Sequence, residues 1–460
     1  MDYAQAVAYL NGLVDYERSP DPRIARQWNL DRMRALLRAV GSPHDSLKAV
    51  HIAGTKGKGS TAAMLAAILR RAGYSVGLFT SPHLICFRER IRLNGKCIPR
   101  SAVARLTERL RPHIERLRRT GPFAPSFFEA HTALAFLYFA EKKPDLVVLE
   151  TGLGGRLDAT NVVTPLACAI TTIGIDHTAE LGGTISQIAT EKAGIIKRNT
   201  PIICAPQPAA AAAVIAAACE KRRARVFHVK HSCALAVRER PDSGVSLSVW
   251  SASPHSADGQ VFTVRGLSGL YEGLFCPLAG SVQPVNAAVA VGLAELLARK
   301  GFHITEKHIR AGIRSVRWPG RLQTVGQDPR IVLDCAHDGI SARALARDIE
   351  ALFPSTRVFL ILGVSRDKNP RAIGRPLLPL AHSVFLTAAP LPRAMEPEAL
   401  HRGLSSLCAR AATAPTVADA LAAAHSLARP DGLILVTGSV YIVGEAMKAL
   451  GLESLCTGPL

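Results

Sequence analysis

Short apolar runs alternate with helix-forming stretches through most of this chain, and that alternation narrows its fold more than any other feature. Ala49 to Ala53 reads as a short strand, followed by a Gly-rich turn and a helix from Ser60 to Ala72. Leu146 to Glu150 is a continuous apolar strand ending in a carboxylate, and Ala167 to Gly174 is another. Ile331 to Asp334, Arg357 to Gly363, Ser383 to Thr387 and Gly432 to Gly438 repeat the pattern. Strands that lack polar alternation are buried on both faces, which calls for helices on both sides of a mostly parallel sheet: an α/β architecture. One region departs from this. Cys233 to Leu278 carries short alternating segments among Gly, Ser, Asp and Pro turns, which predicts a small antiparallel insertion before a helix at Val285 to Ala298. The turn-forming cluster Trp318-Pro319-Gly320-Arg321 precedes the restart of the strand series, so the predicted domains are 1–318 and 319–460. A chain of 460 residues suits two cores better than one.

The sharpest local signal lies in the first strand-to-helix turn, His51-Ile52-Ala53-Gly54-Thr55-Lys56-Gly57-Lys58-Gly59-Ser60. Glycines let backbone N–H groups turn toward phosphate oxygens, the helix N-terminus adds partial positive charge, and Lys58 supplies a cation. The spacing is not that of a strict Walker A loop, because Ile52 stands five before Gly57 and Gly59 separates Lys58 from Ser60. A second signal runs from Glu150 to Asn161. Glu150 ends a buried strand, where α/β proteins bind ligands, and suits a Mg²⁺ ion. The Gly154-Gly155 turn brings Arg156 and Asp158 toward the same crevice, although an Asp there also suits a simple loop cap. A third signal joins Gly174-Ile175-Asp176-His177 to Ala189 through Lys197. Alone, His177 suits a structural role and Lys192 a snorkelling one; the company of the other segments marks both as site candidates.

Taken in order, these segments resemble the folylpolyglutamate synthase/dihydrofolate synthase family, a branch of the Mur ligase superfamily. The family's GTNGKGS loop is matched by Gly54 to Ser60, with Lys56 in place of Asn. Its SPHL…F.ERI segment is matched by Ser81-Pro82-His83-Leu84 with Phe87, Glu89, Arg90 and Ile91, and its FFE element by Phe127-Phe128-Glu129. Its E.GLGGRLDATN stretch is Glu150 to Asn161, its IDH…EKAGIIK block Ile175 to Lys197, and its Gln…Asn-Ala pair Gln283, Asn286 and Ala287. WPGRL is Trp318 to Leu322, DGAHNP is Asp334 to Gly339 with Cys335 for Gly and Asp338 for Asn, and GS.Y.VGE is Gly438 to Glu445.

The resemblance implies an N-terminal P-loop-type Mur ligase ATPase domain and a C-terminal Rossmann-like α/β domain. It implies an ATP-dependent ligase that joins a folate-type carboxylate (dihydropteroate, or a tetrahydrofolate polyglutamate) to L-glutamate through an acyl phosphate. The implied nucleotide residues are Thr55, Gly57, Lys58, Gly59 and Ser60, with Asn286, Arg321 and Asp334. Ser81, Glu150 and His177 would hold Mg²⁺, and Lys58, Lys192 and His177 would be catalytic, Lys192 as a carbamate. Phe128, Glu129, Arg156 and Asp158 would line the pterin side, and His337 and Ser439 would hold glutamate. Lys56 adds positive charge beside the phosphates, whereas Asp338 adds negative charge near the glutamate or nucleotide subsite.

Two other readings stay open at this stage. One is a Mur-like ligase for a non-folate carboxylate; peptidoglycan ligases would need a UDP-binding domain for which the segment before Gly54 is short. The other is a nucleotide-regulated nucleic-acid-binding protein, since 56 Lys+Arg against 36 Asp+Glu give a net charge of +20. The basic residues are scattered without interleaved aromatics, which favours small polyanions, so no nucleic-acid partner is expected. None of the 10 cysteines forms a CxxC pair, and the N-terminus lacks a basic segment followed by an apolar run. The longest apolar run, Ala209 to Cys219, is too short to span a bilayer. A monomer in the cytoplasm, with no membrane partner, is the expectation.

Overall fold

The computed structural model describes residues 1–15, 29–120, 125–231, 246–251, 256–454, 458 and 460. Two sheets organise them. The first contains β1 (Ala49–Ala53), β2 (Val76–Phe79), β3 (Ile91–Leu93), β4 (Lys96–Cys97), β5 (Leu146–Glu150), β6 (Ala167–Ile170), β7 (Ile202–Cys204), β8 (Val226–His231), β9 (Ser246–Ser251), β10 (Gln260–Arg265) and β11 (Leu270–Cys276). Their order is β11-β10-β9-β8-β7-β6-β1-β5-β2-β3-β4. Pairing is parallel from β2 to β9 across the middle and antiparallel at both ends. The second sheet contains β12 (Gln323–Val325), β13 (Arg330–Leu333), β14 (Val358–Leu362), β15 (Ala381–Leu386), β16 (Ala412–Thr413) and β17 (Leu433–Thr437), in the order β12-β13-β17-β14-β15-β16. Only its β12–β13 pair is antiparallel.

Strand alternation sends successive side chains into opposite cores. Val50 and Ile52 of β1, with Leu146 and Val148 of β5, pack under helices Lys58–Arg71 and Gln283–Ala298. Val147 and Leu149 point the other way, against helices Arg100–Thr120 and Phe127–Lys142. In the second sheet Leu360 and Leu362 face one layer and Phe359 and Ile361 the other. Each fully buried branched side chain contributes about 1.5–3 kcal/mol, so these runs hold the sheets together and leave the strand ends free for chemistry.

The predicted insertion is real as an antiparallel element, but it is no separate module: β9, β10 and β11 extend the first sheet through the parallel β8–β9 pair. Positions 233–245 and 252–255 of that prediction lie outside the described residues. No helix among the described residues is long and apolar enough to cross a membrane.

Candidate active site

The Gly-rich turn leaves β1 and enters helix Lys58–Arg71. Thr55 and Lys56 donate their N–H groups to Thr172 O (3.0 and 3.1 Å), which pins the turn to the end of β6. Gly57 sits at the N-cap with φ 88°, and no side chain caps this helix. The first N–H groups of a helix have no intrahelical acceptor, so an uncapped end offers donors and partial positive charge to an anion. Gly57 is required twice over: its φ is left-handed, and a Cβ there would lie 2.2 Å from Asn286 Oδ1. Gly57→Ala is therefore expected to raise the KM for ATP at least about tenfold, because the turn must open to relieve the clash. Steady-state kinetics with varied ATP would measure it; an unchanged KM would contradict the cradle.

Glu150 ends β5 beside this turn. Its Oε2 accepts the Ser81 N–H (3.1 Å), and Lys58 Nζ stands 4.0 Å from Oε1. Burial pushes the Glu150 carboxyl up to about 7, although Lys58 and the Ser81 N–H oppose the shift. Burial likewise lowers the Lys58 ammonium, against the pull of Glu150. A buried carboxylate left this short of positive charge fits a divalent cation, and Ser81 and His177 line one cavity next to it. His177 adopts a left-handed backbone (φ 52°) as the N-cap of Thr178–Leu181, and burial holds its imidazole below the ordinary range, hence neutral. Lys192 is buried, donates to Gly54 O (2.8 Å), and is brought down to about 7 by burial and by Lys58.

The SPHL…F.ERI segment is the scaffold behind Ser81. The Glu89 carboxylate accepts N–H groups from Leu84 (3.0 Å), Ile85 (2.9 Å) and Cys86 (2.6 Å), fixing the turn that follows Ser81. That turn docks on the second domain. A Cβ on Gly444 would lie 2.1 Å from Leu84 O, so only glycine allows this approach.

Carboxyl ends of parallel strands from both sheets meet around a cavity of about 250 Å³. The first domain contributes Ser81, Phe128, Glu129, Asp158 and His177; the second contributes Arg321, His337 and Ser439. Several of these are also tied up locally. Glu129 is the N3 residue of a capping box with Ser126 and accepts from Arg32 Nε (3.3 Å). Asp158 Oδ2 accepts Gly152 N (2.8 Å) and Leu153 N (2.9 Å), so the loop-cap role weighed from the sequence is what its carboxylate does here. Ser439 caps helix Val440–Ala449 through Ile442 N (3.1 Å). Asp334 accepts Leu322 N and Ala336 N (both 2.8 Å). Asn286 accepts nothing from the turn but donates to Gln283 Oε1 (3.0 Å) with its Oδ1 facing Gly57. Arg156 does not line the cavity; its guanidinium pairs with Glu191 Oε1 (2.8 and 3.0 Å).

The sequence reading passed over Arg32, Lys368, Arg393 and Tyr441, all of which line the cavity. Lys368 and Arg393 lie in the loops after β14 and β15, and position after a parallel strand is the signal that could have found them. A cluster of titratable groups adjoins the cavity residue His337. Donor atoms of Asp176, His337 and Asp338 lie within 4.8 Å of one another, an arrangement that suits a metal, but Lys56 Nζ sits among them.

This geometry agrees with known proteins. Residues 52–294 match the Mur ligase middle domain, and residues 320–440 match the Mur ligase, glutamate ligase domain. The chain is 34% identical over 450 residues to the dihydrofolate synthase/folylpolyglutamate synthase of Bacillus subtilis (strain 168), covering 97% of this chain and 99% of the relative. It superposes on Mycobacterium tuberculosis folylpolyglutamate synthase complexed with ADP and AMPPCP with a TM-score of 0.85 at 33% identity, covering 98% and 99% of the two chains. An FPGS–AMPPCP–folate complex gives a TM-score of 0.81 at 32% identity over 98% of this chain and all of that one (100%). The match to both Mur ligase domains and the near-complete coverage of its relatives place the chain in the folylpolyglutamate synthase/dihydrofolate synthase family of Mur-type carbon–nitrogen ligases.

Proposed function

We propose that the cavity uses ATP to join a folate-type carboxylate to L-glutamate through an acyl phosphate. The observation that carries this reading is the uncapped, Lys58-bearing helix end of one domain, close to a cavity whose opposite wall is lined by Arg321, His337, Lys368 and Arg393 of the other. N–H groups of residues 57–60 bind the phosphates, and Lys58 offsets charge on the group in transfer. A carboxylate oxygen of the folate attacks the γ-phosphorus; the β,γ-bridging bond breaks and ADP leaves. The glutamate amine then attacks the acyl carbon, phosphate departs and the amine loses a proton, leaving the amide. Ser81, Glu150 and His177 would hold Mg²⁺, which supplies charge neutralisation on the phosphate oxygens. Phe128 offers an apolar wall for the aromatic part of the folate, and Ser439, Lys368 and Arg393 offer donors to the two carboxylates of glutamate, with His337 lining the same wall.

Lys192 completes the site as a carbamate: its neutral amine adds CO₂ and releases a proton, turning a cation that faces Lys58 into an anion. Its fall to about 7 supports this, because only the free amine reacts. The substrates are small molecules, and the cavity is built within one chain, which supports a monomer. The described cysteines are all free, which supports a reducing compartment such as the cytoplasm.

The test is phosphate release with MgATP and glutamate, offering dihydropteroate and tetrahydrofolate in parallel. Turnover with dihydropteroate gives a dihydrofolate synthase, with tetrahydrofolate a folylpolyglutamate synthase, and with both a bifunctional enzyme. Silence with both, from protein that binds ATP, would overturn the folate assignment in favour of another carboxylate.

A further inference from the structure

Lys56 is held at its backbone by the first domain, through its N–H to Thr172 O (3.1 Å). Its side chain crosses to the second domain. Nζ donates to Asp176 Oδ2 (3.1 Å) and to His337 Nε2 (2.9 Å), and forms an ion pair with Asp338 Oδ2. Since an ammonium only donates, His337 Nε2 is the acceptor, and its Nδ1–H goes to Cys335 O (2.8 Å). The traffic also runs the other way: Lys368 of the second domain donates to Asp176 Oδ1 (2.6 Å) of the first. Positive and negative groups thus alternate across the interface.

Asp338 divides its two oxygens between two tasks. Oδ1 caps helix Gly339–Leu352 by accepting Ile340 N (3.0 Å) and Ser341 N (2.8 Å). Oδ2 is buried and has Lys56 as its ion-pair partner among the described residues. Burial alone would raise this carboxyl; the Lys56 ammonium outweighs it and holds it down to about 2. The two side chains are 23% and 13% exposed, so salt screens them weakly, and an unpaired survivor would be a costly buried charge. Seen from the motifs, Lys56 and Asp338 are two separate departures from a neutral Asn. In the fold they touch, so they are one charge-balanced exchange.

We propose that Lys56 and Asp338 form an interdomain latch that holds the phosphate turn against the second domain and orients His337 in the cavity. They act as positioning residues, and their effect on catalysis rests on the ligase reading above. The test is a double-mutant cycle with the full chain: Lys56→Asn, Asp338→Asn and the double variant. Asparagine keeps the helix cap, because its side-chain oxygen accepts as aspartate does, so Asp338→Asn removes charge only. Each single variant is expected to lose about 10- to 100-fold in kcat/KM for glutamate, mostly through KM, and the double to return to within about fivefold of the parent. Losses that simply multiply in the double would overturn the latch. Small-angle scattering of the ligand-free proteins supplies a readout independent of turnover. A larger radius of gyration in each single, reversed in the double, supports the latch; the same radius in all four overturns it. Singles that fail to fold while the double folds would register the same coupling, and a double that also fails would overturn it. A parent without ligase activity would count against the ligase reading alone, and the scattering cycle would still decide the latch.

Discussion

Lys58→Ala is expected to lower kcat/KM for ATP in the ligation assay by about 10³-fold while leaving the protein folded. Removal of one preorganised donor from a water-poor site costs about 10²–10³ in rate, and Lys58 has a second task that pushes the loss to the upper end. It is the cation that faces Glu150, 4.0 Å from Oε1. Without it, burial raises the Glu150 carboxyl further, so the carboxylate proposed to hold the metal becomes harder to ionise. Folding should tolerate the change, since burial already works against the Lys58 charge. Phosphate release, run beside calorimetric titration with an ATP analogue and a thermal melt, would separate lost binding from lost chemistry. A variant with a near-normal rate would remove the phosphate-turn assignment.

Lys192→Ala is expected to lose about 10²-fold in kcat, and millimolar acetate or propionate is expected to restore part of it. A carbamate presents a carboxylate on a lysine stem; deleting the stem leaves a buried space that a small carboxylic acid can enter, whereas a lysine acting as a cation would gain nothing from an added anion. The pH dependence carries a definite sign. With the amine at about 7, protonation at pH 6 opposes CO₂ addition and the free amine at pH 8 permits it. Stripping CO₂ should therefore slow the parent enzyme, with readdition of bicarbonate rescuing it better at pH 8 than at pH 6. The same lowered value acts on stability before modification. Between about 7 and the ordinary lysine value of 10.5 the unfolded chain binds more protons than the folded one, so stability rises with pH across that window. Full activity of Lys192→Ala, or indifference to both acetate and CO₂, would remove the carbamate.

Local chemistry was enough to locate most of the framework from the sequence. Ala49–Ala53 and Leu146–Glu150 are strands to the residue, because a mostly apolar run bounded by polar or glycine positions has few other ways to be buried. Helix Lys58–Arg71 starts two residues before the expected Ser60, since Lys58 and Gly59 carry no helix signal of their own and the start is set by the left-handed Gly57. Glu150, His337 and Ser439, the last two named through the family resemblance, do fall at or just past strand ends. Such positions are readable because the carboxyl end of a parallel strand is defined by the strand itself.

What the sequence could not settle was decided by packing between distant segments. The alternation in Cys233 to Leu278 is right for β9 to β11, but their membership of the main sheet depends on β8 pairing with β9, a long-range choice with no local signature. Spacing alone brought Arg156 to the crevice, whereas Glu191 on another helix draws it away. Lys368 and Arg393 face the first domain's share of the cavity because the two domains dock as they do, whereas Arg32 is drawn there by Glu129 of its own domain. The Lys56 side chain is the clearest case. It meets His337 across 281 residues of sequence, and read singly it is a stray cation and Asp338 a stray anion. Periodicity and propensity act over a few residues, so they determined the strands and the Gly-rich turn by themselves, while most strand-end candidates came from the family resemblance. Which charges become partners depends on how two separate cores pack against each other, and only the tertiary structure decides that.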